Sequence, residues 1–188
     1  IIKESLAVGG CVPNTGIDLK KLDPELSVSV CGRVGNDYKG EYVVSEMKKV
    51  GIDVSGVKVS KTAPTSYSDV MTVNGTGERT FFHNRGANAE FSPSDVDINL
   101  LDCDILHAGY LMLLDSFDKI NADGKTPMAE FLKSVQEKGI KTCTENHGYI
   151  FQAPDRVKEL IDAVDEKNYG WLLDLGNFLC VDKEPLSS

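Results

Sequence analysis

Gly32-Arg33-Val34-Gly35-Asn36-Asp37-Tyr38-Lys39-Gly40 lies between two hydrophobic patterns of different period. Before it, Ser27 to Cys31 alternates Val28 and Val30 with small residues, which predicts a short strand. After it, Tyr42, Val43, Met47 and Val50 fall on one face of a helix predicted over Tyr38 to Val50, with Gly51 as its stop. The glycines of Gly32-Arg33-Val34-Gly35 read as a turn, and Asp37 is placed to cap the helix. Gly51-Ile52-Asp53-Val54 then opens another strand. Strand, glycine turn, helix and strand make the rhythm of an α/β fold.

Working outward, Asn14 to Leu22 is a short helix candidate stopped by Asp23-Pro24. Thr65 to Val73 and Arg79 to His83 are β-rich and flank Asn74-Gly75-Thr76-Gly77, which predicts an antiparallel ribbon beside the main domain. Asp104 to Ala108 reads as a buried parallel strand. Met128, Phe131, Leu132 and Val135 mark an amphipathic helix ending at Gly139, and Ile140 to Thr144 the next strand. Val157, Leu160, Ile161 and Val164 repeat the helical spacing behind Pro154, and Trp171 to Leu175 reads as a last strand.

Composition narrows the function classes. The 188 residues suffice for one sizeable core, and a net charge of −9 with no basic run argues against a nucleic-acid partner. Five scattered cysteines without a C-x-x-C pair fit free thiols in a reducing cytoplasm. No apolar run is long enough to span a membrane and no signal-peptide pattern is present. The start at Ile1-Ile2-Lys3, without Met, reads as a piece of something longer.

Gly9-Gly10-Cys11-Val12-Pro13-Asn14 puts two glycines before a helix start, where backbone amides can approach a ligand and Asn14 can serve a sugar hydroxyl. With it come Gly32-x-x-Gly35-x-Asp37-x-x-Gly40, Thr65-Ser66, Gly77-Glu78-Arg79-Thr80-Phe81, Gly86-Ala87-Asn88, Asp104-Ile105-Leu106-His107 and Gly109-Tyr110. In this order and spacing residues 5 to 138 resemble the N-terminal part of the ribokinase-like (PfkB) carbohydrate kinases. The resemblance implies a Rossmann-like α/β domain at 1–138, with a small β lid at about 65–85 closing over a sugar. It implies phosphorylation of a sugar or nucleoside hydroxyl with ATP and Mg²⁺, and a homodimer formed through the lids.

Carried over by position, Gly9, Gly10 and Asn14 match the family's sugar-contacting segment, although Val12 and Gly16 depart from its pattern. Arg85 stands where some relatives contact acidic sugars; a solvated strand-end cation is its other reading. Asp37 is expected to cap its helix, and His107 to be a core or strand-end histidine. The family's second signature, a glycine-rich Asp-x-x-Gly-Ala-Gly-Asp turn carrying the catalytic base and the anion-stabilising amides, has no counterpart in residues 1–188. The first strand of the family, with its sugar-binding Asp, is also expected to be missing, so the sheet is expected to be incomplete.

Residues 139–188 carry a second resemblance, to the xylose-isomerase-like barrels of sugar isomerases and epimerases. It rests on Glu145-Asn146-His147-Gly148 and Leu172-Leu173-Asp174-Leu175-Gly176-Asn177-Phe178. It implies that Glu145 and Asp174 bind Mn²⁺ or Mg²⁺ with His147 beside them; as ordinary polar strand ends they would bind nothing. The leading expectation is thus a truncated, inactive carbohydrate kinase segment fused near 139–145 to a βα fragment of a barrel. A metal-dependent isomerase fragment and a non-catalytic sugar-binding remnant are the alternatives.

Overall fold

A computed structural model of the chain describes residues 1–109, 113–146, 153–164 and 167–174. It divides into two compact units, Ile1–Val96 with Leu114–Ser116, and Asp97–Leu113 with Phe117–Ser188.

In the first unit, helix α1 (Cys11–Leu22) precedes strand β1 (Ser29–Gly35), helix α2 (Tyr38–Lys49) and strand β2 (Asp53–Ser60). β1 and β2 pair in parallel from Ser29↔Asp53 to Gly35↔Ser60, with an irregularity between Ser29 and Cys31. Gly32-Arg33-Val34-Gly35 is therefore strand and not the turn expected of it, because parallel pairing with β2 carries β1 through both glycines. The reversal falls instead at Asn36-Asp37, where the Asp37 carboxylate accepts the Gly40 amide at 2.9 Å and caps α2 as expected. α1 starts at Cys11, three residues before the expected Asn14. Its first bond runs from the Asn14 amide to the Gly10 carbonyl at 3.1 Å, and Pro13 sits in the first turn, where no amide is needed.

Val30, Met47 and Ile52 form the core of this unit, with Ile17 of α1, Val43 of α2 and Val57 of β2 packed against them. Burying Val30, Met47 or Ile52 contributes on the order of 1.5–3 kcal/mol each. Strands β3 (Tyr67–Thr72) and β4 (Arg79–Asn84) form the expected antiparallel ribbon, from Tyr67↔Asn84 to Thr72↔Arg79. The turn is closed by the Val73 amide on the Glu78 carbonyl at 2.8 Å. Short 3₁₀ turns follow at Gly86–Ala89 and Pro93–Asp95.

The second unit holds strands β5 (Ile105–His107), β6 (Lys141–Glu145) and β7 (Tyr169–Leu172), parallel and ordered β5-β6-β7. The short helix α3 (Asp115–Asp118), whose first two residues belong to the first unit, precedes α4 (Pro127–Glu137) in sequence, and α5 (Pro154–Val164) lies between β6 and β7. α4 buries Met128, Phe131 and Val135, the periodic face read from sequence, and Phe131 meets Phe117 edge-on at 5.6 Å between centroids. β7 starts two residues before the expected Trp171 and ends at Leu172, because its ladder to β6 runs from Thr142↔Tyr169 to Glu145↔Leu172.

Candidate functional site

The expected sugar-contacting residues all lie in the first unit. Gly10 stands just before α1 at φ +92°, a conformation glycine adopts freely, and no side chain caps the helix behind it. A side chain at Gly9 or Gly10 would meet no atom within 4 Å, so this stretch of backbone borders open space. Asn14 is exposed one turn into the helix. Amides and a carboxamide thus share one open helix start, an arrangement that can hydrogen-bond a polyol.

Arg85 follows β4 and is ion-paired with the Asp115 carboxylate; the two side chains are 43% and 51% exposed. An acidic ligand reaching Arg85 would compete with Asp115. On the ribbon, Tyr67, Asp69 and Met71 share a face with Thr80, Phe82 and Asn84, and Ser68 Oγ lies 2.8 Å from His83 Nδ1. A surface depression is lined by Tyr67, Asp69, Phe81, Phe82, His83 and Asn84.

Two polar clusters in the same unit were not assigned from sequence. Asp37 accepts the Thr65 hydroxyl at 2.6 Å and the Thr65 amide at 2.8 Å, besides its cap bond. Those bonds from Thr65, above all the hydroxyl, hold its carboxyl below the usual carboxylate range. Glu90 accepts hydroxyl bonds from Ser60 and Thr62, each at 2.6 Å, and pairs with Arg33 at 3.3 Å, while Arg33 also bonds Asp95. The Ser60 and Thr62 hydroxyls are the leading reason that Glu90 is likewise pushed down. No spacing rule could find either cluster, since their long-range bonds join residues 28 to 62 positions apart in sequence.

In the second unit His107 ends β5, the strand-end position expected of it; burial pushes its pKa down, against the pull of Glu145. Glu145 ends β6 beside Leu172, and Asp174 follows β7. Between them sits Asn146, 1% exposed. Its Oδ1 accepts the Asp174 amide at 2.7 Å and the Trp171 indole N–H at 3.1 Å, and its Nδ2 donates to the Asp174 carbonyl at 2.7 Å. Asn146 therefore stitches β6 to β7. Among the described residues no group of three or more ligand side chains close enough to share one ion includes Asp174. Tyr110, His147 and Asn177 lie outside the described residues.

Comparison with known proteins tests the two resemblances against each other. The pfkB family carbohydrate kinases match residues 3–163, straight through the 139–145 stretch. The isomerase-fragment reading, and with it the proposed fusion, finds no support.

The bifunctional protein HldE of Helicobacter pylori is 41% identical over 66 residues, 34% of this chain and 13% of that protein. The 2-dehydro-3-deoxygluconokinase of Thermoproteus tenax is 33% identical over 84 residues, 43% of this chain and 26% of that protein. The apo structure of a putative ribokinase II from E. coli superposes with a TM-score of 0.64 at 17% identity, covering 98% of this chain and 60% of that one. Its complex with ATP and Mg²⁺ gives 0.59 at 18% identity, covering 90% and 55%. The chain thus spans less than two thirds of the length of these relatives, and the structural likeness establishes a shared ribokinase-like α/β fold. With most of its length inside one family match and that fold beneath it, the chain belongs to the pfkB family of carbohydrate kinases.

Proposed function

We propose that this chain is the sugar-holding part of an ATP-dependent kinase that phosphorylates a hydroxyl of a sugar or sugar acid. In this reading Gly9, Gly10 and Asn14 bond the sugar hydroxyls, the β3–β4 ribbon is the lid, and Arg85 favours an acidic substrate over Asp115. The observation that carries it is the open, uncapped start of α1 behind Gly9-Gly10, in a chain of this family.

The family implies use of ATP with Mg²⁺. The described residues do not fit a triphosphate. The start of α4 is closed by its own cap, Thr126 Oγ1 accepting the Ala129 amide at 3.2 Å, and the described residues that follow β5, Ala108 and Gly109, form no glycine-rich cradle. No step through the nucleotide is therefore derived. The expectation for these 188 residues alone is binding of sugar without phosphoryl transfer, because the Asp-x-x-Gly-Ala-Gly-Asp turn is missing from them. The exposed ribbon is also the surface proposed for a homodimer.

Thermal melts across a panel of neutral sugars and sugar acids test this reading. A sugar-dependent rise in Tm is expected, lost in Asn14→Ala, with the response to sugar acids alone lost in Arg85→Gln. A panel in which no sugar raises the Tm overturns it, and steady ATP consumption with any sugar overturns the expected inactivity.

A further inference from the structure

The β3–β4 ribbon has no buried residue of its own, yet both of its roots are held tightly. At the entry, Thr65 is only 4% exposed. Its hydroxyl donates to Asp37 Oδ1 at 2.6 Å and accepts the Gly35 amide at 2.9 Å, and its amide donates to Asp37 Oδ2 at 2.8 Å. Asp37 Oδ1 also accepts the Gly40 amide at 2.9 Å. The end of β1, the cap of α2 and the entry to the ribbon thus close into one ring of hydrogen bonds. The backbones meet so closely that a Cβ at Gly35 would collide with the Thr65 amide, and one at Gly40 with the Gly35 carbonyl. Lys39, in the first turn of α2, adds a cation over the ring of Tyr67, 3.4 Å from its centroid.

The exit is tied to the same place. The Ala87 amide donates to the Pro64 carbonyl at 2.8 Å, and Gly86, at φ +44°, leaves no room for a Cβ against that carbonyl. Glu90, four residues on, is held by Ser60 and Thr62, at the end of β2 and in the loop that follows it. The ribbon is therefore a lever whose two arms leave a single rigid point.

A helix cap needs only one acceptor oxygen, and Ser, Thr or Asn would serve α2 as well as Asp. The second oxygen of Asp37 goes to an amide 28 residues away. We propose that Asp37 is a positioning residue for the lid: through Thr65 it sets where and at what angle the β3–β4 ribbon leaves the junction of β1 and α2. The proposal rests on the reading of the ribbon as the sugar lid given above. Its chemistry makes a clean separation available. In Asp37→Asn the carboxamide oxygen still caps α2, but the NH₂ group faces the Thr65 amide, donor against donor.

The test is residue-resolved hydrogen exchange on the whole chain without sugar, so its result does not depend on whether any sugar binds. Asp37→Asn and Thr65→Val are expected to speed exchange of the Tyr67–Thr72 and Arg79–Asn84 amides about tenfold or more, and to raise that of the β1–β2 amides by much less. Thr65→Ser, which keeps the hydroxyl, is expected to restore slow exchange. Should Asp37→Asn fail to fold, Thr65→Val and Thr65→Ser carry the test. Ribbon exchange that stays unchanged, exchange that rises equally in β1–β2 and the ribbon, or a Thr65→Ser variant that behaves like Thr65→Val would each overturn the proposal. A panel in which no sugar binds, with the exchange response intact, counts against the sugar-lid reading and not against the clamp.

Discussion

The parallel pair β1–β2 and the antiparallel ribbon β3–β4 belong to the same unit and are held by opposite means. The pair lies over a core, with Val30, Val34 and Ser60 buried. In the ribbon no residue of either strand is buried, and Val70, Met71, Phe81 and Phe82 are between 43% and 59% exposed. A two-stranded hairpin without a core is marginal in water. The ribbon therefore depends on the polar bonds at its roots, where the pair depends on apolar burial. A lid suits the second construction, since a segment that must meet ligand cannot spend its side chains on a permanent core.

The comparison breaks most visibly at Met47, which is 2% exposed beneath β1–β2. Met47→Ala is expected to cost about 2–5 kcal/mol in urea unfolding, through lost transfer energy and the cavity left behind. Phe82→Ala removes a larger side chain from the ribbon but is expected to cost under about 1 kcal/mol, because that ring is already in water. Equal losses from the two variants would end the distinction between core-held and root-held strands.

Gly40 sharpens it, because two rules disagree about the sign. Gly40 is the third residue of α2, and replacing a helical glycine with alanine ordinarily stabilises by up to about 1 kcal/mol. Here the new methyl would run into the Gly35 carbonyl and lie 2.9 Å from Thr65 Oγ1. Overpacking of that kind costs about 1–3 kcal/mol. We expect the clash to win, so Gly40→Ala lowers the Tm. A Tm that rises would mean that the junction can yield and does not fix the ribbon.

What could be read from sequence followed the range of the interactions involved. Helix α2, its Asp37 cap and the Asn74-Gly75-Thr76-Gly77 turn are local, and periodicity found them. Gly32-Arg33-Val34-Gly35 misled because glycines signal turns locally, while their strand character comes from pairing with residues 57 to 60. Glu145 and Asp174 misled for another reason. Parallel strands of every α/β fold end in polar residues on one edge, so two such carboxylates suit a barrel and a doubly wound sheet alike. Asn146, whose bonds join β6 to β7, carries no local signal, because its partner Asp174 lies 28 residues on. The open helix start at Gly9-Gly10 was visible as a motif; the Asp37–Thr65 ring was not, because nothing local relates position 37 to position 65.

The smallest expected effect is also the most specific to the roots. Asp37 titrates below the usual carboxylate range in the folded chain, chiefly because the Thr65 hydroxyl and amide bond its charged form. A carboxylate depressed by folding stabilises the fold above its unfolded pKa, and that contribution disappears as pH falls through the folded value. Wild type should therefore exceed Asp37→Asn in stability by on the order of 1 kcal/mol at neutral pH, the scale left to a bond to a charged group when that bond is only part-buried and screened by solvent. The gap should hold down to about pH 4 and close below it. Glu90, depressed in the same direction by Ser60 and Thr62, is lost over the same acid range in both proteins and cancels in the difference. Parallel urea melts from pH 7 to pH 3 measure that difference directly. A gap that stays constant into acid would mean that Asp37 acts through its shape and not its charge, and the ribbon would then be held by the close packing of Gly35, Gly40 and Gly86 alone.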